Sequence, residues 1–179
     1  MDRKTFIEKY YPIVKRLARG TGIFPETVLS QMILESSKDG KPLESLLTVK
    51  ANNAFGVKAT KNWKGRVYNI KTAEYTPGGE KYYENDDFRA YPSITDSIKD
   101  YLNIISKYYP EAVKAKNSRD QIEAIAKKYA TAPTYAQLLN KLVAEIKPII
   151  DKIKPGLGVF GGVVVFSALT WGIVRLIKS

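Results

Sequence analysis

The side chains available for acid–base chemistry in this chain are mainly carboxylates, because the sequence contains no histidine and no cysteine. This composition excludes thiol nucleophiles, structural disulfides, Cys/His zinc sites and catalytic groups built on histidine. Tyr, Ser, Thr and Lys remain available. Two carboxyl groups are enough for glycosidic bond hydrolysis. One is protonated and gives its proton to the leaving oxygen, while an ionised one activates water or stabilises positive charge on the sugar.

Glu35 is the main candidate for the protonated carboxyl. It directly follows the apolar run Met32, Ile33 and Leu34 and lies at the C-terminal end of a predicted helix. Partial desolvation at such a position would raise the pKa of the carboxyl, as a general acid requires. A glutamate at a helix end is more often a solvated surface residue, so this position alone does not assign the role.

The elements that must position this carboxyl are mainly helices. A first helix is predicted to run to about Arg19, where Gly20 and Gly22 end it. Apolar residues at helical spacing predict further helices over residues 25–35, Ile94–Tyr108, Ser118–Tyr129 with Ser118 as a candidate N-cap, and Tyr135–Ile150.

The segment between Asn62 and Tyr91 has a different character and is rich in Gly, Tyr, Thr and Pro. Short alternating runs predict two strands, residues 67–75 and 81–83, joined by a turn at residues 76–79. The order of helices, a β-hairpin and further helices indicates an α+β domain that is mainly α, with a small β-lobe.

Several short blocks of this sequence resemble the signature of glycoside hydrolase family 73, the bacterial and phage glucosaminidases. The resemblance covers roughly residues 5 to 150, in the family's order and at compatible spacing. The blocks are residues 34–36, 51–59, 63–65, 72–75, 88–93 with Ser97, Asp100 and Tyr101, and residues 129–136.

The resemblance implies a lysozyme-like fold with a substrate groove between the helical body and the β-lobe. It also implies hydrolysis of the bond between N-acetylglucosamine and N-acetylmuramic acid. Glu35 matches the family's general acid, and Glu74 matches the second carboxylate proposed for several members. Glu80, Glu84 and Asp86 lie close enough in sequence to compete with Glu74 for that role.

The same resemblance implies further site residues. Tyr129 matches a tyrosine near the sugar, which could support the transition state by a hydrogen bond or merely pack. Asn53, Phe55, Trp63 and Tyr135 are expected to bind substrate along the groove, with aromatic faces stacking on sugar rings and the amide bonding the N-acetyl group. For Phe55, plain core packing is an equal alternative.

Two departures from the family pattern affect the expected groove. Residues 36–42 lack the aromatic residue that often follows the glutamate, which puts the groove's edge in doubt. Ala132 stands where family members often have an acidic residue, so a local cap or turn contact is missing. Neither departure removes a proton donor.

The last residues have the composition of a membrane anchor. Pro155 and Gly156 predict a boundary between a domain at residues 1–154 and a tail at residues 155–179. Residues 156–174 form an uncharged run of 19 residues with basic flanks, long enough for a single transmembrane helix of about 28 Å. A buried core helix is the alternative. The N-terminus has no continuous apolar run that would predict a signal peptide. We therefore expect membrane lipid as a partner and a location in a phage virion membrane or host inner membrane.

The remaining partners follow from charge and from the resemblance. A net charge of +11 predicts attraction to a polyanion such as cell wall, anionic lipid or nucleic acid, although surplus lysine is equally typical of a solubility device. The sequence contains no nucleic-acid recognition motif, so the expected partner is bacterial peptidoglycan, with no cofactor and no metal. The alternatives are a lytic transglycosylase, which shares the fold, and a non-catalytic glycan-binding wall or virion protein.

Overall fold

The computed structural model describes residues 1–75, 80–129 and 134–153. In chain order its elements are α1 (Arg3–Leu17), α2 (Pro25–Ser36), α3 (Leu46–Ala51), β1 (Arg66–Tyr75), β2 (Lys81–Ala90), α4 (Ile94–Tyr108), α5 (Pro110–Val113), α6 (Ser118–Tyr129) and α7 (Tyr135–Ile150). The helices form one body, and the two strands form a separate hairpin.

Helix α2 lies at the centre of the helical body and packs against α1, α6 and α7. Pro25 occupies its first turn, where the missing N–H group costs no helical hydrogen bond. Most of the helix is buried, and its buried residues are Thr27, Val28, Leu29, Ser30, Gln31, Met32, Ile33 and Ser36. Neighbours on several sides hold α2 in place, and Glu35 belongs to its last turn.

Side-chain caps explain where several helices begin. Asp2 accepts a hydrogen bond from the backbone N–H of Thr5 at 2.9 Å at the start of α1, and Ser93 caps α4 in the same way. At α6 the cap is Asn117, whose Oδ1 accepts from the N–H of Asp120 at 2.9 Å. The prediction of Ser118 as the cap is therefore wrong by one residue, while the helix does begin at Ser118.

The hairpin is longer than the sequence pattern predicted. Strand β2 runs on to Ala90, which pairs with Arg66 at the far end of the antiparallel ladder. The polar run Asn85, Asp86 and Asp87 hid this extension because it has low strand propensity. Pairing compensates for that propensity: the Asn69 side chain donates to Asp87 at 2.7 Å across the ladder.

A loop segment after α3 ties the hairpin to the body. Ala59 N donates to the carbonyl of Asp87 at 2.7 Å, and Arg89 N donates to the carbonyl of Val57 at 3.0 Å. Lys58 forms an ion pair with Asp86 at 2.7 Å. These contacts lie along the outer edge of β2, so the hairpin and residues 57–59 position each other. Helices α3 and α5 are short elements that the sequence pattern did not predict.

The predicted membrane anchor was not tested by this fold. Within residues 1–75, 80–129 and 134–153, none of the helices combines the length and apolarity that a membrane crossing needs. The predicted anchor at residues 156–174, the boundary at residue 155 and the turn at residues 76–79 lie outside the described residues.

Candidate active site

The carboxyl group of Glu35 is half-buried at the end of α2. The hydroxyl of Tyr135, from the first turn of α7, donates a hydrogen bond to Glu35 Oε1 at 2.7 Å. Burial raises the pKa of this carboxyl, and the Tyr135 hydrogen bond opposes that effect without cancelling it. A carboxyl that keeps its proton above the ordinary range is suited to donate that proton during a reaction.

A chain of buried hydrogen bonds extends behind Tyr135. The side-chain amide of Gln31 donates to the Tyr135 hydroxyl oxygen at 3.0 Å, and the Tyr101 hydroxyl donates to Gln31 Oε1. Burial is the main cause that raises the pKa of both tyrosine hydroxyls, so they stay neutral donors at physiological pH. Tyr135 is 6% exposed and its hydroxyl holds Glu35; that it also binds substrate stays a prediction.

Tyr129, at the end of α6, lies beside this chain. Its ring is nearly parallel to that of Tyr135, with centroids 6.0 Å apart, and its hydroxyl donates to the carbonyl of Phe55 at 2.6 Å. Burial raises the pKa of the Tyr129 hydroxyl, and the Glu35 charge adds to that effect. The structure thus brings Tyr129 near Glu35, with its proton bound to a loop carbonyl and its oxygen lone pairs able to accept.

The second oxygen of Glu35 faces the loop that follows α3. Gly56 has a φ of 65°, in the left-handed region that favours glycine. A Cβ atom added there would lie 3.8 Å from Glu35 Oε2. The two oxygens of the carboxyl therefore have different surroundings, with a tyrosine hydroxyl at Oε1 and loop backbone near Oε2.

Asn53 holds this loop and does not offer its amide to a ligand. Its Nδ2 donates to the carbonyls of Val57 and Arg89, both at 2.9 Å, and its Oδ1 accepts from the N–H groups of Phe55 and Val57. These bonds use both amide hydrogens and both lone pairs. The prediction that Asn53 bonds the N-acetyl group is corrected, because its amide instead links the loop to β2.

Phe55 is a core residue. It is 1% exposed, and its ring stacks on Tyr101 with centroids 4.0 Å apart. The alternative of core packing is the one the structure adopts, so the prediction of a sugar-stacking face is corrected. The backbone carbonyl of Phe55 still contributes to the site as the acceptor for Tyr129.

Trp63 lies at the junction of lobe and body. Its ring is covered by the Arg89 guanidinium, 4.6 Å from the ring centroid, and meets the edge of Tyr91 at 5.7 Å. Arg89 pairs with Asp100 at 2.7 Å, and the Tyr91 hydroxyl donates to the same carboxylate at 2.7 Å. These contacts assign Trp63 to a junction cluster (Trp63, Arg89, Tyr91 and Asp100) that joins β2 to α4.

Glu74 lies on β1, where its backbone is paired with Tyr82; its side chain is outside the described part of the structure. The register pairs Thr72 with Glu84 and Ile70 with Asp86. Because side chains alternate along a strand, Glu74, Glu84 and Asp86 occupy positions on one face of the hairpin. The register therefore does not separate Glu74 from these competitors, although Asp86 already pairs with Lys58. Within the described ranges, no group of three or more acidic residues is placed to hold a metal ion.

Sequence reasoning missed Gln31, Tyr101 and Gly56 as parts of this site. A signal for Gln31 existed, because it precedes Glu35 by four residues and so shares its helix face. A polar residue within the apolar run of α2 must find buried partners. Tyr101 and Gly56 belong to the sequence blocks that resemble the family signature, but their proximity to Gln31 and Glu35 arises from packing, so their positions in the sequence alone predict no role in the site.

The geometry of this site agrees with a family comparison. A family model described as mannosyl-glycoprotein endo-beta-N-acetylglucosaminidase matches residues 11–148. This match spans more than half of the chain, so the chain belongs to this glucosaminidase family of glycoside hydrolases. The family resemblance predicted from the sequence blocks is thereby confirmed.

Individual relatives support the same assignment. The chain is 30% identical over 155 residues to the peptidoglycan hydrolase FlgJ of Escherichia coli, covering 85% of this chain and 49% of that protein. It therefore spans about half the length of this relative. The catalytic domain of the autolysin Auto from Listeria monocytogenes superposes with a TM-score of 0.69 at 28% identity, covering 82% of this chain and 85% of that one.

The glycoside hydrolase domain of Salmonella typhimurium FlgJ superposes with a TM-score of 0.62 at 28% identity, covering 82% of this chain and 99% of that one. The predicted fold class is thus confirmed in its coarse form: the domain is mainly helical and lysozyme-like, with a small two-stranded sheet.

Proposed function

We propose that this chain is a peptidoglycan hydrolase that cleaves the glycan strand between N-acetylglucosamine and N-acetylmuramic acid. The observation that carries the proposal is the half-buried carboxyl of Glu35, whose pKa burial raises and whose Oε1 is held by Tyr135. Membership of the glucosaminidase family supports the reaction class. The names of relatives such as the peptidoglycan hydrolase FlgJ support the substrate.

In the proposed reaction, protonated Glu35 gives its proton to the glycosidic oxygen as the bond between that oxygen and the sugar breaks. Positive charge then develops on the sugar ring, and a water molecule adds its hydroxyl there while its remaining proton passes to a carboxylate of the site. Glu74 is proposed as the ionised carboxylate that stabilises this charge or directs the water. Tyr129, beside Glu35, is proposed to support the same transition state through the oxygen of its hydroxyl.

The proposal includes a membrane-anchored form of the enzyme. Residues 156–174 are uncharged and flanked by basic residues, which supports a single membrane-spanning helix. The membrane of a phage virion or the inner membrane of a host cell is proposed as the location, with activity in entry or lysis.

Digestion of purified peptidoglycan by the full chain in detergent tests the reaction, with Glu35→Gln as the matched control. We expect fragments whose new reducing end is N-acetylglucosamine and whose mass includes one added water. A reducing end at N-acetylmuramic acid would overturn the proposed bond, and anhydro-sugar ends would indicate a lytic transglycosylase. Binding to peptidoglycan without any cleavage would indicate a glycan-binding protein instead.

A further inference from the structure

Gln31 is a fully buried polar side chain that the proposed reaction does not yet use. It is 0% exposed, and it lies on α2 four residues before Glu35, on the same helix face. Its amide contacts two tyrosines from different helices, Tyr135 of α7 and Tyr101 of α4. A buried amide with partners at both ends sets the direction of the hydrogen bonds that pass through it.

The direction of the hydrogen bonds from Tyr101 through Gln31 and Tyr135 to Glu35 follows from counting their hydrogens. When the Gln31 amide donates to the Tyr135 oxygen, the single hydrogen of that hydroxyl is left for Glu35 Oε1, 2.7 Å away. Tyr101 in turn donates its hydrogen to Gln31 Oε1. Each hydrogen in the chain then has an acceptor.

The reverse direction is unfavourable because of Tyr101. Turning the Gln31 amide around would make Tyr101 an acceptor, and its own hydrogen would point into the core. Tyr101 is 0% exposed, and the rings of Phe55 and Tyr129 pack against it. A buried hydroxyl hydrogen without an acceptor is costly. The packing around Tyr101 therefore selects one direction for the hydrogen bonds that run from Tyr101 to Glu35.

We propose that Gln31, held by Tyr101, is a positioning residue that directs the Tyr135 hydrogen to Glu35 Oε1 and so places the acid proton on Glu35 Oε2, beside Gly56. This inference rests on the proposed function in that it takes Glu35 as the acid. A proton on Oε2 faces the loop at Gly56, where the Cβ of any larger residue would lie 3.8 Å away. The proton on Oε1, by contrast, would be enclosed by Tyr135.

Among the described side chains, the titratable groups that face Glu35 from packed elements are tyrosines, which are neutral at physiological pH. The Glu35 charge raises the pKa of the hydroxyls of Tyr101 of α4, Tyr129 of α6 and Tyr135 of α7. Glu74 of β1 is a further titratable residue of the proposed site, and its side chain is outside the described part. Within the described part of the chain, the pKa of Glu35 is shifted by burial and by the Tyr135 hydrogen bond, so the direction of that hydrogen bond affects the pKa.

Removing the Gln31 hydrogen bond should shift the pKa of Glu35 in one direction. Donation from Gln31 polarises the Tyr135 hydroxyl and strengthens its bond to the Glu35 carboxylate. Replacing Gln31 by Met removes that donation at similar volume, so the pKa of Glu35 should rise by about 0.5 to 1 pH unit. Because the acid must be protonated, the alkaline limb of the pH–rate profile should move up with it. The kcat should fall about 10- to 100-fold with little change in KM.

The test is a carbon-13 NMR titration of the Glu35 carboxyl in the full chain in detergent, with Glu35→Gln identifying the resonance. The control is Gln121→Met, which removes another fully buried glutamine bonded to Phe24, Gly22 and Ala112. We expect Gln31→Met and Tyr101→Phe to raise the titration midpoint, and the double variant to add nothing further. Gln121→Met should lower the melting temperature and leave the midpoint unchanged.

Two results would overturn the inference: a wild-type midpoint in folded Gln31→Met or Tyr101→Phe, or equal midpoint shifts in Gln31→Met and Gln121→Met. Tyr101→Phe keeps the inference testable if Gln31→Met does not fold, because it deletes one oxygen. The titration does not depend on turnover. If the protein cleaves no peptidoglycan but its variants show the expected shifts of the Glu35 titration midpoint, the proposed function is contradicted and the positioning role of Gln31 is supported.

Discussion

At the scale of single residues, the carboxyl of Glu35 combines a hydrogen-bond donor at one oxygen with desolvation of the whole group. Replacing Glu35 by Gln keeps its size and an acceptor for Tyr135 but removes the transferable proton. Hydrolysis of peptidoglycan by Glu35→Gln should fall by about 10² to 10⁴, measured as release of new reducing ends. A folded Glu35→Gln protein with near-normal activity would show that another group is the acid.

The same residue should make stability depend on pH. Burial raises the pKa of Glu35 above its ordinary 4.5 in the folded state. At pH values between the ordinary pKa of the unfolded state and the raised pKa of the folded state, the folded protein binds more protons than the unfolded protein. Ionisation of Glu35 therefore lowers the stability of the fold as pH rises through this range. Glu35→Gln lacks the penalty and should melt at a higher temperature than wild type at about pH 7, with the difference shrinking toward about pH 4. Melting curves followed by circular dichroism at both pH values test this prediction. A Glu35→Gln protein that melts below wild type at both pH values would contradict it.

At the scale of elements, α2 and the hairpin differ in what holds them. Helix α2 is packed by α1, α6 and α7, whereas the hairpin is joined to the body by residues 57–59 and by the pairing of Arg89 with Asp100. The proposed acid therefore lies on a helix packed by three others, and the proposed second carboxylate lies on a strand with fewer attachments. Changes in the hairpin should alter catalysis with little effect on the core.

The hairpin prediction compares three carboxylates at positions on one face of the hairpin, Glu74 on β1 and Glu84 and Asp86 on β2. If Glu74 stabilises charge on the sugar, Glu74→Gln should lower kcat by about 10-fold or more and leave substrate binding nearly unchanged. Asp86→Asn is a matched control, because Asp86 forms an ion pair with Lys58 and is not expected to reach the sugar. Rate measurements on soluble glycan fragments, together with binding to insoluble peptidoglycan, separate the two effects. A larger loss in Glu84→Gln would mean that Glu84 is the second carboxylate.

At the scale of the whole molecule, a strongly basic domain precedes an apolar tail. The net charge of +11 favours association with anionic cell-wall polymers and anionic lipid. Both attractions would hold the enzyme at the boundary between membrane and wall, and the tail would add hydrophobic insertion. Salt weakens the electrostatic part and leaves the hydrophobic part nearly intact.

The tail prediction uses that difference. The full chain should remain in the membrane fraction after a carbonate wash, because residues 156–174 are uncharged over 19 residues. A variant with Val164→Asp and Leu169→Asp should be released, because charges near the bilayer centre are costly. Release of the wild-type protein by the same wash would show that the segment does not span the membrane.

The sequence alone predicted the five longer helices, α1, α2, α4, α6 and α7, and the candidate acid. The bounds of α4 and α7 were predicted to the residue, because apolar side chains recur there at a period that depends only on helix geometry. The desolvation of Glu35 was also a local inference from Met32, Ile33 and Leu34 beside it. The length of β2 could not be predicted from its local sequence, because pairing with β1 overrides the low strand propensity of residues 85–87.

The tertiary structure decided which side chains hold Glu35 and which belong to the core. Tyr135 reaches Glu35 across 100 residues of chain, and Tyr101 reaches Gln31 across 70. The family resemblance assigned Asn53 and Phe55 to substrate, with core packing as an equal alternative for Phe55. In the structure, backbone groups occupy the Asn53 amide and Tyr101 covers the Phe55 ring. Sequence spacing reports the partners of a residue within one helix or strand. Partners from distant segments depend on how the helices pack, and the residue's type and spacing do not contain that information.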